Sequence, residues 1–366
     1  MGLEGVVAAE TRLSHVDGER GELIIAGYPL AEIATNATFE EATWLLWHGR
    51  RPTPAELSAF HRELAGRRAL PAATMALVQE CAAGQVDAMD ALRIAAGSIS
   101  LAGEDAITIA ASFPTMVASF WRVRHGLEPV APRADLSHAA NYLYMLDGEP
   151  PDHERVRALE TYLNTVIDHG LNASTFTCRV ICSTGSDLVS AVVGAIGALK
   201  GPLHGGAPGP ALETVFEIGD ASRAEAVLRR KIENGDRLMG FGHRVYKVRD
   251  PRADVLAVAA ERLFTRGGDM SLYRLARDVE ATALRLLEEY KPGRRLQTNV
   301  EFYTALLLHG LGLEVSLFTP TFAIGRVSGW IGHAFEQRAA NRLIRPASEY
   351  VGPRDLTWSG SVASAA

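Results

Sequence analysis

Residues 186–210 read SDLVSAVVGAIGALKGPLHGGAPGP. Ser186 and Asp187 can open a helix, LVSAVVGAIGAL follows without a charge, and Lys200, Gly201 and Pro202 stop it. A helix that is apolar nearly all round has no face for water and belongs in a core or a subunit interface. Its glycines at 194, 197 and 201 let a partner helix approach closely. Each also lowers helix propensity by roughly 1 kcal/mol relative to alanine, so apolar burial has to make up the difference. Immediately afterwards comes GPLHGGAPGP (201–210), in which seven of ten residues are Gly or Pro. Such a loop lets backbone and the side chain of His204 come close to a ligand, although an ordinary surface loop has the same composition. There is no GK[ST], so this is not a Walker-type phosphate loop.

Working outward, helical patterns fill most of the chain. Thr38 with Glu41 forms a capping box ahead of FEEATWLLWHG, which Gly49 stops. Thr53 to Leu64, Ala72 to Ala83 and Glu104 to Arg124 continue the amphipathic or wholly apolar pattern. The clearest strand signal is GELIIAGYPL (21–30), a short extended or hairpin piece. From Ala211 to about Leu287 the helices become charged and amphipathic, and FYTALLLHGLGL and TFAIGRVSGWIGHAFEQRAA return to apolar character before an irregular tail. The expected architecture is all-α: a large domain from residues 1–212 and 318–366, with a smaller, more solvated helical domain, 213–317, inserted between them.

The 366 residues are 47% hydrophobic and 22% charged, which excludes a disordered or collagen-like chain. A net charge of -6 without a basic block argues against nucleic acid as a partner. Only four of the 37 basic residues are lysines, a bias toward the side chain suited to bidentate carboxylate clamps. The N-terminus, MGLEGVVAAETRL, resembles neither a secretory signal nor a transit peptide. The longest uncharged run, Ala106 to Trp121, falls short of a membrane span and contains Pro114. Three cysteines, Cys81, Cys178 and Cys182, fit a reducing cytoplasm. The spacing of Cys178 and Cys182 suits metal ligands only if a second pair exists, and none is apparent, so small buried helix residues and no metal are expected.

Three stretches concentrate reactive side chains. His204 lies in the Gly/Pro loop. GFGHRVYKVRDPRADVL (240–256) places His243 after two glycines, and Asp250 caps a helix with Pro251 in its first position and Arg252 in its second. An arginine at a helix N-terminus makes a seat for a carboxylate or phosphate, or it is simply a solvated first-turn residue. TNVEFYTALLL (298–308) opens an apolar helix with Glu301, which is either a base or a partner of the helix dipole. His309 and His333 are expected on helix faces. Loop histidines, a carboxylate beside apolar sequence and several arginines suit deprotonation of a carbon acid next to a held anion. GxSxG, the kinase signatures and HExxH are all missing.

These motifs resemble those of the citrate synthase family, in the branch that includes 2-methylcitrate synthases. The resemblance runs nearly end to end, through GLEGVVAAET, DGERGELIIAGYPLAEIA, FEEATWLLWHG, LSHAANYLYML, DHGLNASTFTCRV, GPLHGGA, GFGHRVYKVRDPRADVL, NVEFYTALLL and NRLIRPASEYVGP. It implies an all-α fold whose large and small domains close over substrate, and a homodimer. The implied reaction is Claisen condensation of acetyl-CoA with oxaloacetate, then thioester hydrolysis to citrate and CoA. Acetyl-CoA is a co-substrate there, and no resident cofactor is implied.

By the same resemblance, His204 hydrogen-bonds the acetyl-CoA enolate, His243 polarises the oxaloacetate carbonyl, and His169 in DHGLNAS is an oxaloacetate ligand. Arg252 and Arg326 bind its carboxylates, Arg345 in IRP reaches across the dimer interface, and Lys247 lies near the CoA phosphates or is a solvated surface lysine. Two positions depart from the family pattern. Glu301 stands where an aspartate in NVDF is usual, which adds a methylene and displaces the oxygen by about 1 Å unless the backbone compensates. Gly170 stands where DHELN carries an acid. A 2-methylcitrate synthase acting on propionyl-CoA, and a weakly active paralogue that binds acyl-CoA, are the alternatives.

Overall fold

The computed structural model describes residues 3, 5–101, 105–205 and 208–356. Gly2 and Glu4 of the first motif, Glu104, and Gly206 and Ala207 of the Gly/Pro loop lie outside the described residues. The fold is all-α. Its first half contains α1 (Leu30–Asn36), α2 (Phe39–His48), α3 (Pro54–Gly66), α4 (Ala72–Ala83), α5 (Ala88–Gly97), α6 (Ala106–Arg124), α7 (His138–Asp147) and α8 (His153–Val166). The second half contains α9 (Ala173–Ser183), α10 (Leu188–Leu199), α11 (Pro208–Ile218), α12 (Ala224–Glu233), α13 (Pro251–Gly267), α14 (Ser271–Tyr290), α15 (Val300–Gly310) and α16 (Phe318–Ala339).

Local chemistry sets these boundaries. Thr38 and Thr53 each form a full capping box, with Glu41 and Glu56. The expected helix from Glu104 begins at Ala106, because the Asp105 side chain accepts from Thr108 N and fixes the start there. Asp187 caps α10 by accepting from Ser190 N. Asp250 caps α13, and Pro251 occupies the first turn, where its missing N–H costs nothing.

The core is built around two long helices. α6 is long and apolar enough to cross a membrane, but most of it is buried inside this protein, against α4, α5, α7 and α16. α16 packs on α2, α6, α8, α9 and α10. Its Gly329 permits this, since a Cβ there would stand 2.2 Å from Ile167 O. α9 and α10 pack on each other, with Gly194 beside the Ile181 side chain. Cys178 and Cys182 are buried on α9, and their thiols donate to Trp330 O and Ala334 O of α16, so they are packing residues.

Among the charged helices, α11 and α13 pack on α15, and α12 packs on α14. α13 also lies against α8. The expected border between residues 212 and 213 falls inside α11, and that between 317 and 318 falls at the start of α16.

A small antiparallel sheet, β1 (Ser14–Asp17), β2 (Glu22–Ile25) and β3 (Tyr28–Pro29), sits ahead of α1, with Ser14 opposite Ile25 and Asp17 opposite Glu22. Ala26 and Gly27 both have positive φ and make the two-residue turn between β2 and β3. β2 and β3 lie within the expected GELIIAGYPL. β1 is an addition, because SHVD carries no run of apolar or β-branched residues to announce it.

Candidate active site

A cleft of about 870 Å³ lies between the end of α8, the starts of α9, α13 and α15, the loop after α10, and α16. His169, His204, His243, Arg252, Glu301 and Arg326 all line it. Lys247 and Arg345 do not. Lys247 is exposed and its Nζ donates to Arg244 O, while Arg345 is exposed in the extended tail after α16.

His243 is held by its own turn. Its Nδ1 accepts from Val245 N and Tyr246 N, both at 3.0 Å. A backbone amide can only donate, so the proton of the neutral ring is assigned to Nε2. Nε2 lies 3.2 Å from Arg252 Nη2, which is also a donor. Two donors therefore converge on one place with no acceptor between them, a geometry suited to a substrate oxygen. Burial, and then the charge of Arg252, lower the His243 pKa to about 4, so the ring is neutral near pH 7.

Arg252 is buried and grips Asp250 with two side-chain bonds, Nε to Oδ1 at 3.0 Å and Nη2 to Oδ2 at 2.8 Å. Burial opposes its charge, but Asp250 outweighs that and holds the guanidinium pKa above its usual value. Asp250 is itself fixed as the α13 cap and by Val300 N. The same carboxylate thus ties α13 to the start of α15, where Glu301 lies.

His204 is set by the first turn of α9. Ser174 N and Ser174 Oγ lie 3.4 and 2.8 Å from His204 Nε2, and Trp330 Nε1 donates to the same hydroxyl. Because the amide can only donate, Nε2 is the acceptor and Nδ1 carries the proton. Burial, then the charge of Arg326, push this ring down to about 4. Buried His169 meets Tyr246 OH at 3.1 Å, and burial with Arg252 and Arg326 holds its pKa well below normal.

Glu301 is in the first turn of α15, where the Asn299 side chain caps the helix by accepting from its amide. Burial raises its pKa, and the charges of Arg252 and Arg237 oppose that rise. Arg326 is buried on α16, donates Nε to Val166 O at 2.6 Å and lies over the Phe322 ring. Burial lowers its pKa to about 10, and nearby Asp168 resists the loss of charge.

Several residues to which sequence reasoning gives no part in the site complete the arrangement. His333, expected on a helix face, is fully buried in a polar chain. Its Nδ1 faces Arg179 Nη1 at 3.1 Å and its Nε2 faces Asp168 Oδ1 at 3.1 Å. Its partners lie more than 150 residues away, so no local pattern reveals them. Ser174 carries a weak signal, being two residues after the cap Asn172 in a first helical turn. Gly170 adopts φ 58°, a left-handed conformation that glycine takes without strain and that an acid there would resist. Among the described residues no group of three His, Cys, Asp or Glu side chains is gathered as metal ligands.

The family model for the citrate synthase C-terminal domain matches residues 2–347. A citrate synthase of Haloferax volcanii is 40% identical, over 98% of this chain and 97% of that protein. A 2-methylcitrate synthase of Shewanella oneidensis is 38% identical, over 96% of this chain and 94% of that protein. The solved structure of the Thermoplasma acidophilum citrate synthase in ternary complex with carboxymethyl coenzyme A and oxaloacetate is also similar. It has a TM-score of 0.89, with 29% identity and 98% of each chain covered. On the family model and these relatives, this chain belongs to the citrate synthase family of acyltransferases.

Proposed function

We propose that this protein condenses acetyl-CoA with oxaloacetate and hydrolyses the product to citrate and CoA. The observation that carries the reading is the pair of donors, His243 Nε2 and Arg252 Nη2, 3.2 Å apart in a cleft that also holds Glu301 and a neutral His204. Glu301 removes a proton from the acetyl methyl group, and the Nδ1–H of His204 donates to the developing enolate oxygen. The oxaloacetate carbonyl oxygen accepts from His243 and Arg252. Arg252 and Arg326, with His169, receive its carboxylates, a task for which the guanidinium fork is better shaped than an ammonium. The enolate carbon attacks the polarised carbonyl, the new alkoxide takes up a proton, and water cleaves the citryl thioester to release CoA. No metal and no resident cofactor enters this sequence.

In this reading the protein works as a cytoplasmic homodimer, with Arg345 entering the partner's cleft, the 213–317 domain closing on the large domain, and Lys247 near the CoA phosphates. A second reading, 2-methylcitrate synthase, is favoured by the Shewanella relative at nearly the same identity. One added methyl is worth only roughly 1–3 kcal/mol of discrimination. CoA release from acetyl-CoA and from propionyl-CoA, each with and without oxaloacetate, separates the two. Oxaloacetate-dependent release with a higher kcat/KM for acetyl-CoA is expected. A higher value for propionyl-CoA selects the second reading, and no release from either, with both ligands bound, overturns both.

A further inference from the structure

The β1–β2 hairpin touches both turns that carry the oxaloacetate-facing histidines. At its base, Ser14 Oγ accepts from Gly170 N at 2.7 Å and donates to Asp168 Oδ2 at 2.5 Å. These two residues flank His169 in the chain. At its tip, Asp17 Oδ1 accepts from Glu19 N and Arg20 N and folds DGERG into a tight turn. There Gly18 O accepts from Lys247 N at 2.9 Å. A Cβ at Gly18 would stand 2.2 Å from Val245 O, and one at Gly21 would stand 2.8 Å from the Val248 side chain. The tip therefore rests on the residue whose amide, with that of Tyr246, fixes the tautomer of His243.

We infer that this hairpin is a brace that sets His169 and His243 relative to each other, with Ser14 and Gly18 as positioning residues for oxaloacetate. The inference rests on reading the cleft as an oxaloacetate site. Its physical basis is that the tip contact is backbone against backbone. A methyl group at Gly18 meets a carbonyl oxygen that has no flexible end to yield, so the 243–247 turn has to move. Displacement of a binding group by about 1 Å is enough to cost on the order of a hundredfold in rate. Hairpins that only add stability would leave the two ligands equally affected.

The test uses the full chain and measures oxaloacetate and acetyl-CoA binding by calorimetry, with spectra of ¹⁵N-histidine-labelled protein. Gly18→Ala and Ser14→Ala are expected to weaken oxaloacetate binding by about tenfold or more while acetyl-CoA binding changes by less than about twofold. Ser14→Thr, which keeps the hydroxyl, is expected to restore affinity, and Glu19→Ala, at the same tip without a contact across it, to leave affinity unchanged. In Gly18→Ala the His243 resonances should lose the Nε2–H tautomer pattern. Wild-type affinity in both folded Gly18→Ala and Ser14→Ala, or equal loss for both ligands, overturns the brace. If wild type itself fails to bind oxaloacetate, the functional reading falls, and an unchanged His243 spectrum in Gly18→Ala then overturns the brace separately.

Discussion

In the proposed mechanism, Glu301 and the two cleft histidines divide the acid and base work by environment. Burial lifts the Glu301 carboxyl above the usual carboxylate range, whereas burial and arginine charge bring His204 and His243 down to about 4. A base has to be ionised, so if Glu301 is the base as proposed, activity should be present above its pKa and lost as pH falls through it. The histidines stay neutral over that window and keep donating. The acid limb of kcat/KM against pH should therefore be a single ionisation lying above an ordinary glutamate. A limb that follows two protons would assign it to the histidines instead. That these residues meet in one cleft was legible because each sits beside a local marker: a Gly/Pro loop, a capped helix start, or the first turn of an apolar helix. Asp168, Ser174 and His333 were not, since their roles come from contacts between distant segments, as with His333 and Asp168 at 3.1 Å.

At the scale of elements, caps and apolar periodicity made the helices readable, and the unannounced element is β1. Its place comes from tertiary pairing, with Ser14 tied to the 168–170 turn, rather than from strand propensity. Buried polar groups within helices are similarly silent in sequence. Glu160 in α8 is buried beside Glu40 of α2, and burial followed by that like charge raises its pKa to about 7, although Arg157 donates to it at 2.7 Å. A carboxyl whose folded pKa is raised contributes its full stability below its unfolded value and loses it as pH rises through about 7. Glu160→Gln keeps an acceptor for Arg157 and removes the titration. Its Tm should exceed that of wild type by roughly 2–4 °C at pH 8 and match it near pH 5. A lower Tm at pH 8 would show that the ion pair with Arg157 outweighs desolvation.

At the scale of the molecule, six of the eight residues suggested by sequence meet in one cleft, while Arg345 is exposed in the tail of its own chain. In the homodimer proposed above, the tail would cross over and give Arg345 a site in the partner. Two variants, Arg345→Ala and Glu301→Gln, should each be nearly inactive alone. Unfolded together and refolded, they should regain about a quarter of wild-type activity, because half the molecules are mixed dimers with one intact site each. No recovery, with dimers formed, would place Arg345 outside the site. The expected domain border at residues 212 and 213 has no break in helical pattern to mark it, since α11 runs across it.

We propose that Glu301 is the base of an acyl-CoA condensation. The most direct measurement is the kcat for oxaloacetate-dependent CoA release by wild type and by Glu301→Gln, with binding of both ligands measured alongside. A loss of about 10²- to 10⁴-fold in kcat with both ligands still bound is the predicted result. Activity of Glu301→Gln equal to that of wild type would show that Glu301 is not the base.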